Sequence, residues 1–141
     1  MTAERLVVDA SVAVKWVVDE PGSAAAITAT RDRLLTAPAY MLVEAANGIR
    51  KQSAAGKITP AAASSALQDL VGTPVERVPV DETLVHEALA LGLELDHPLQ
   101  DCLYLALARR TGARVITADH KFARAVRENG THAERIVLLG E

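Results

Sequence analysis

The chain has 141 residues, a formal net charge of −3 and one cysteine. That length suits a single domain over residues 1–141, which would bury about 70% of the surface of its unfolded chain. A domain of this size needs no disulfide or structural metal for stability. One cysteine excludes an internal disulfide, and no apolar run reaches the roughly 18 residues that span a bilayer. The charged N-terminus is unlike a signal peptide. We therefore expect a reduced, cytoplasmic protein with no membrane segment.

Short β-branched runs alternate along the chain with longer stretches of helical spacing that are rich in alanine and leucine. The strands are predicted at residues 6–9, 36–38, 75–79, 114–118 and 135–139. The helices are predicted at residues 12–18 (capped by Ser11), 23–34, 39–54, 60–71, 82–95, 98–111 and 121–128. This alternation predicts an α/β fold with a largely parallel sheet and helices on both faces. In such sheets ligands bind beyond the carboxyl ends of the strands.

Four acidic residues close or interrupt apolar runs, where a charge would be drawn toward the core. They are Asp9, Glu44, Asp101 and Asp119. An isolated buried carboxylate costs several kcal/mol unless it is paired or bound to a metal ion. No matching set of buried bases accompanies these four acids, and carboxylate oxygens are the ligands that Mg²⁺ and Mn²⁺ prefer. The pattern predicts a shared divalent ion, which would activate a water for phosphodiester hydrolysis.

The overall charge is compatible with a polyanionic substrate only if the metal is bound. Fifteen Lys and Arg stand against 18 Asp and Glu. One divalent ion changes the balance to −3 + 2 = −1, and two change it to −3 + 4 = +1. The ion is therefore expected to be a condition for the approach of a nucleic acid.

Each of the four acids also has a structural explanation, and the sequence leaves both interpretations open. Asp9 could bind the amides of the turn that follows it, and Glu44 could form an ion pair with a nearby lysine or arginine. Asp101 could lie at a helix start because of the macrodipole. Asp119 could cap the helix that begins near residue 121.

Several polar residues are spaced to support the acids. Asn47 follows Glu44 by one helical turn and shares its face. The hydroxyls of Ser11 and Thr117 could orient a carboxylate or a water, although helix capping is the simpler role for Ser11. A set of basic residues could surround the acids and hold phosphates, although solvated surface positions are the default for them: Lys15, Arg50, Lys51 and Lys121.

The remaining reactive side chains offer no convincing alternative. The four histidines show no shared ligand spacing: His86, His97, His120 and His132. His97 and His120 lie near the proposed site, yet surface or capping roles are the expectation for these two. Cys102 lies in an apolar helical run and is expected to be a small core residue.

Four segments together resemble the PIN-domain ribonucleases, particularly the VapC toxins of bacterial and archaeal toxin–antitoxin pairs. They are residues 6–16 (LVVDASVAVKW), 42–47 (LVEAAN), 101–108 (DCLYLALA) and 115–122 (VITADHKF). Each segment alone is a weak signal, but the four occur in order over essentially the whole chain.

The resemblance implies a three-layer α/β/α fold around a parallel five-stranded sheet of order 3-2-1-4-5. It also implies an Mg²⁺- or Mn²⁺-dependent endoribonuclease, with Asp9, Glu44 and Asp101 as the principal ligands. Asp119 would act directly or through water. A homodimer and a cognate VapB-like antitoxin are implied as well, the antitoxin wrapping the toxin helices.

Other functions remain open at this stage. A PIN-type nuclease could act in RNA processing, or on DNA, outside a toxin–antitoxin pair. A non-catalytic signalling or scaffold domain of receiver type would want an acidic pair after the first strand, and Asp9 has none beside it. A phosphohydrolase with an aspartyl nucleophile would want a second acid at position 11, which is Ser11.

Overall fold

Five short strands form one parallel sheet in the computed structural model of the protein, which describes residues 3–141. The strands are β1 Arg5–Val8, β2 Leu34–Pro38, β3 Val75–Val78, β4 Arg114–Thr117 and β5 Ile136–Leu138. Their order is β3-β2-β1-β4-β5, and every neighbouring pair is parallel. This confirms the predicted order 3-2-1-4-5.

The described residues also form seven α-helices and one turn of 3₁₀-helix at Ala133–Arg135. The helices are α1 Ala10–Val17, α2 Ser23–Thr30, α3 Met41–Ala54, α4 Pro60–Val71, α5 Glu82–Leu95, α6 Leu99–Thr111 and α7 His120–Asn129. Helix α1 packs against α2, α3 and α4, whereas α5 packs against α6 and α7. The central strand β1 is buried on alternating sides at Leu6, Val7 and Val8, as expected for a parallel sheet covered on both faces.

Helix α6 runs through the middle of the core. Seven consecutive residues, Cys102–Ala108, are buried in it, and the helix packs on β1, β2 and β4. A helix that is apolar on all sides belongs in the interior. Cys102 is completely buried, which confirms its expected role as a small core residue.

The boundary between α2 and β2 differs from the predicted one. A helix was expected to continue to Leu34, but α2 ends at Thr30 and Leu34 begins β2. Asp32 adopts a left-handed conformation with φ of 59°, a turn that glycine more often supplies. Pairing of Leu34 with Arg5 of β1 then extends the sheet where local propensity alone favoured a longer helix.

The topology brings two strand ends together at one edge of the sheet. Strands β1 and β4 are neighbours, with Val8 opposite Ile116, and the Asp9 amide donates to the Ile116 carbonyl oxygen at 3.1 Å. Asp9 directly follows β1, and Asp119 lies two residues after β4. No helix within residues 3–141 is both long enough and apolar enough to cross a membrane.

Candidate active site

A cleft of about 770 Å³ opens at this edge of the sheet. Its lining includes the carboxylates of Asp9, Glu44, Asp101 and Asp119. They come from four different parts of the fold: the end of β1, helix α3, helix α6 and the segment after β4. The structure thus brings together acids that are 110 positions apart at the extremes of the sequence.

Asp9 is the most deeply buried of the four, with 5% of its surface exposed. Its Oδ2 accepts hydrogen bonds from the Thr117 hydroxyl at 2.5 Å and from the Ser11 hydroxyl at 2.9 Å. Burial raises the pKa of Asp9 to about 6, and repulsion from Asp101 and Glu44 acts in the same direction. The two hydroxyl bonds oppose that rise, because they stabilise the ionised form.

Ser11 orients Asp9 and does not cap the helix. Helix α1 begins at Ala10, so Ser11 lies within its first turn. Its hydroxyl donates to Asp9 and accepts from the Ala118 amide at 2.9 Å, thereby joining the two strand ends. The expected capping role of Ser11 is wrong, and its alternative role of orienting a carboxylate fits the geometry.

Glu44 faces the cleft from α3 and is held by Tyr104 of α6. The Tyr104 hydroxyl donates to Glu44 Oε1 at 2.6 Å. Burial raises the pKa of Glu44, the Tyr104 bond lowers it, and repulsion from Asp101 raises it further. Within residues 3–141, Glu44 forms no ion pair with a lysine or arginine, so its structural explanation is not supported.

Asp101 lies in the first turn of α6 and is bonded to His97. The His97 Nε2 is 2.7 Å from Asp101 Oδ2. Burial raises the pKa of Asp101, and the hydrogen bond and charge of His97 oppose that rise. The side chain of His97 is only 9% exposed, so the expectation of a surface or capping role is wrong for this residue.

Asp119 combines a structural role with a place in the cleft. Its Oδ1 accepts from the amides of Lys121 at 2.9 Å and Phe122 at 3.2 Å, which caps α7. Asp119 also repels Asp101 and lines the same cleft. The two explanations offered by the sequence are therefore compatible here.

The four acids share one hydrogen-bonding pattern. Each is bonded through a single oxygen, and the described residues form no hydrogen bond with the other. In this part of the chain no buried side-chain oxygen lacks a partner, so the second oxygen of Asp9 must reach solvent. Four carboxylates with spare oxygens in one cleft are a suitable donor set for a hard divalent cation.

The acids do not form a compact ligand cluster as they stand. No three His, Cys, Asp or Glu side chains within residues 3–141 group closely enough to make a ready metal site. Mg²⁺ keeps several waters and takes one or two carboxylates directly, so it does not require three protein ligands grouped together. The residues present therefore fit a partly hydrated ion.

The other predicted supporting residues divide into those at the cleft and those away from it. Asn47 lines the cleft, and its Oδ1 accepts from Arg50 Nε at 3.1 Å. Lys51 lines the cleft as well. Lys15 does not, because its Nζ binds Glu20 at 3.1 Å and the Pro21 carbonyl at 2.8 Å. The predicted supporting role of Lys15 is not favoured by this arrangement.

A second cleft of about 660 Å³ adjoins the first. The two share Pro98, Asp101 and Asp119, and the second also has Lys121 and Arg124 in its lining. The acids therefore lie between Lys51 on α3 and the two bases of α7.

The sheet order and the acids at the ends of β1 and β4 define the class of protein. Residues 6–128 match the PIN domain, and the chain belongs to the PIN-domain family. It is 32% identical over 123 residues to ribonuclease VapC3 of Mycobacterium tuberculosis, covering 86% of this chain and 88% of that protein. The predicted resemblance to VapC proteins is thereby confirmed.

Solved structures share the fold over nearly the full length. A toxin–antitoxin complex from Klebsiella pneumoniae matches with a TM-score of 0.69 and 15% identity, covering 96% of this chain and 98% of that one. VapC20 of Mycobacterium tuberculosis, a sarcin–ricin loop cleaving toxin, matches with a TM-score of 0.68 and 18% identity, covering 85% and 94%.

Proposed function

We propose that the chain is a divalent-metal-dependent endoribonuclease and the toxin of a type II toxin–antitoxin pair. The observation that carries the proposal is the convergence of Asp9, Glu44, Asp101 and Asp119 on one cleft at the carboxyl edge of the sheet. Partial sequence identity to a protein named as a ribonuclease supports RNA as the substrate. The sequence interpretation and the geometry thus favour the same chemistry.

The roles of the acids follow from their burial and hydrogen bonds. Asp9, Glu44 and Asp101 would hold Mg²⁺ or Mn²⁺ through their free oxygens, with Asp119 acting directly or through water. When bound, the ion supplies positive charge against the scissile phosphate and lowers the pKa of water. Thr117 and Ser11 keep Asp9 in one orientation. With a pKa of about 6, Asp9 is ionised at neutral pH and ready to bind a cation.

The chain also offers groups that would position the substrate. Lys51 lines the cleft beside the acids, and Asn47 presents its amide one helical turn from Glu44. A lysine positions phosphate without reading the base sequence, because phosphates carry no sequence information. RNA specificity would then come from the shape of the substrate and from surrounding loops.

Calorimetric titration of Mn²⁺ tests the metal site without a choice of RNA. We expect saturable binding by the wild type and none by Asp9→Asn, which removes the charge at the most buried acid. Asp69→Asn is the matched control, because Asp69 is exposed on α4 outside the cleft. Equal binding by wild type and Asp9→Asn would contradict the assignment.

Cleavage of bacterial total RNA tests the reaction. We expect fragments with Mn²⁺ or Mg²⁺, none with EDTA, and none with Asp9→Asn. Activity of Asp9→Asn within about twofold of wild type would show that no essential transition-state interaction had been removed, and the proposed mechanism would be abandoned. A parallel assay on single-stranded DNA separates a ribonuclease from a general nuclease.

A VapB-like antitoxin and a homodimer are part of the same proposal. Val85, Leu89 and Leu93 recur every four residues along α5, and all three are exposed, Leu93 at 76%. Such a stripe offers apolar surface for a second chain. Induced expression should arrest bacterial growth for the wild type but not for Asp9→Asn, and co-expression with the product of an adjacent small reading frame should restore growth. Sedimentation equilibrium tests the proposed homodimer. A monomer at all protein concentrations would contradict it.

A further inference from the structure

Three of the four cleft acids, Asp9, Glu44 and Asp101, are held by hydroxyl groups and one imidazole ring. In residues 3–141 no lysine or arginine pairs with Asp9, Glu44 or Asp101. Hydroxyl donors fix the orientation of a carboxylate while leaving its charge available to a cation. Two of the donors, Tyr104 and His97, were not recognised as functional from the sequence.

Tyr104 provides the only side-chain hydroxyl in the buried run Cys102–Ala108 of α6. The side chain is completely buried, so its ring has no freedom to move into solvent. Its hydroxyl spans the gap from α6 to Glu44 of α3 at 2.6 Å. Because a buried hydroxyl without a partner is costly, this bond fixes the position of Oε1 on Glu44.

His97 connects Asp101 to the helix that Asp119 caps. Its Nε2 is 2.7 Å from Asp101 Oδ2, and its ring stacks on Phe122 with centroids 5.3 Å apart and an interplanar angle of 19°. Phe122 is completely buried, and its amide donates to Asp119. The imidazole is thus clamped, and the positions of Asp101 and Asp119 are linked through it.

We propose that Tyr104 and His97 are positioning residues, which hold Glu44 and Asp101 with their free oxygens toward the cleft. They act through the acids, in the way that hydrogen-bond partners of metal ligands tune a metal site. This inference rests on the proposed function, since it assumes that the acids bind a divalent ion.

The two tyrosines of the chain provide a matched pair of substitutions. Tyr104→Phe removes only the hydroxyl that binds Glu44. Tyr40→Phe is the control, because Tyr40 lines the same cleft and its hydroxyl forms no hydrogen bond within residues 3–141. We expect Tyr104→Phe to weaken Mn²⁺ binding about tenfold or more by calorimetry, and Tyr40→Phe to leave it unchanged.

His97 is tested by two substitutions that separate its ring from its donor. His97→Phe keeps an aromatic ring against Phe122 but loses the N–H group, whereas His97→Gln keeps an N–H donor and loses the ring. We expect His97→Phe to weaken Mn²⁺ binding about tenfold, and His97→Gln to recover part of that loss. Recovery by glutamine shows that the hydrogen bond matters more than the stacking.

Thermal unfolding of each variant without metal distinguishes positioning from a purely structural role. A structural role lowers the melting temperature and leaves the Mn²⁺ affinity of the folded protein unchanged, and that result for both Tyr104→Phe and His97→Phe overturns the inference. If one variant fails to fold, the other decides. Wild-type protein that binds no Mn²⁺ would overturn the proposed function and this inference with it, whereas wild-type binding with unaffected variants overturns the inference alone.

Discussion

At the scale of single residues, Asp9 shows how the fold maintains a charge in an unfavourable place. Only 5% of its surface is exposed, yet two hydroxyls bind its Oδ2 and none of the described residues neutralises it with a full positive charge. The effect of burial on the pKa of Asp9 is larger than the opposing effect of these two hydrogen bonds, so its pKa lies at about 6 instead of 3.8. The metal-free protein therefore carries a destabilising carboxylate at neutral pH.

A pH-dependent stability follows from this shifted pKa. The folded state binds the Asp9 proton more tightly than the unfolded state does, so stability is lost as the pH rises from about 4 to about 6. A rise from 3.8 to about 6 corresponds to about 3 kcal/mol. Asp9→Asn has no such titration, and we expect its stability advantage over the wild type to grow by about that amount between pH 4 and pH 8.

Urea unfolding of both proteins in EDTA, at several pH values, measures the difference. Taking the difference cancels the titration of groups far from Asp9. Glu44 and Asp101 repel Asp9, so the difference reports the Asp9 titration together with its coupling to these two acids. A constant difference across the pH range would show that Asp9 is not held in a destabilising environment.

The meeting of the four acids in one cleft was predictable from the sequence, because a charge beside an apolar run is conspicuous, whereas their role as metal ligands stays a prediction. The contacts of Tyr104 and His97 were not predictable, for physical reasons. Tyr104 lies among leucines in a buried helix, where packing alone explains an aromatic ring. Only the fold shows that its hydroxyl contacts Glu44, 60 positions away. His97 precedes a proline at a helix start, a position typical of loops. Its burial depends on Phe122, which belongs to a helix that is distant in the sequence.

At the scale of elements, substitutions of Asp119 separate two roles of this residue. It caps helix α7, and it also lies among the acids of the cleft. Alanine at position 119 removes the bonds to the Lys121 and Phe122 amides, and we expect a loss of about 1 kcal/mol in the free energy of unfolding. Asparagine is an equally good cap, so Asp119→Asn should retain stability to within a few tenths of a kcal/mol. Both variants should lose RNA cleavage, because both lack the charge.

Denaturant unfolding and initial cleavage rates on the same preparations separate the two roles. Full activity in Asp119→Asn would show that Asp119 serves the helix alone. Equal destabilisation by alanine and asparagine would instead show that the cap depends on the charge and not on the hydrogen bonds.

Element boundaries were predictable where capping signals were strong and failed where a turn lacked them. Thr59 and Asp81 accept hydrogen bonds from amides three residues later, at the helix starts that the sequence predicted. The end of α2 has neither glycine nor proline after Thr30, and Asp32 makes the turn instead. The strand that follows is stabilised by pairing with β1, a long-range contact that no local pattern records.

At the scale of the whole molecule, the acids link folding to metal binding. Repulsion among Asp9, Glu44 and Asp101 disfavours the metal-free fold, and an ion bound to the folded state stabilises it by mass action. At a Mn²⁺ concentration 100 times Kd the gain is about 2.7 kcal/mol. For a chain of 141 residues that corresponds to a rise of roughly 8 °C in Tm.

Differential scanning calorimetry over a series of Mn²⁺ concentrations measures this rise, with KCl used to hold the ionic strength constant. We expect Tm to increase with the logarithm of Mn²⁺ concentration in the wild type and in the control Asp69→Asn, and to stay constant in Asp9→Asn. The Kd obtained from the shift should agree with that from titration, because both report the same ion on the same acids. A Tm shift of equal size in Asp9→Asn would instead indicate that Mn²⁺ binds elsewhere on this acidic protein. The assignment of the metal site to the cleft would then be wrong.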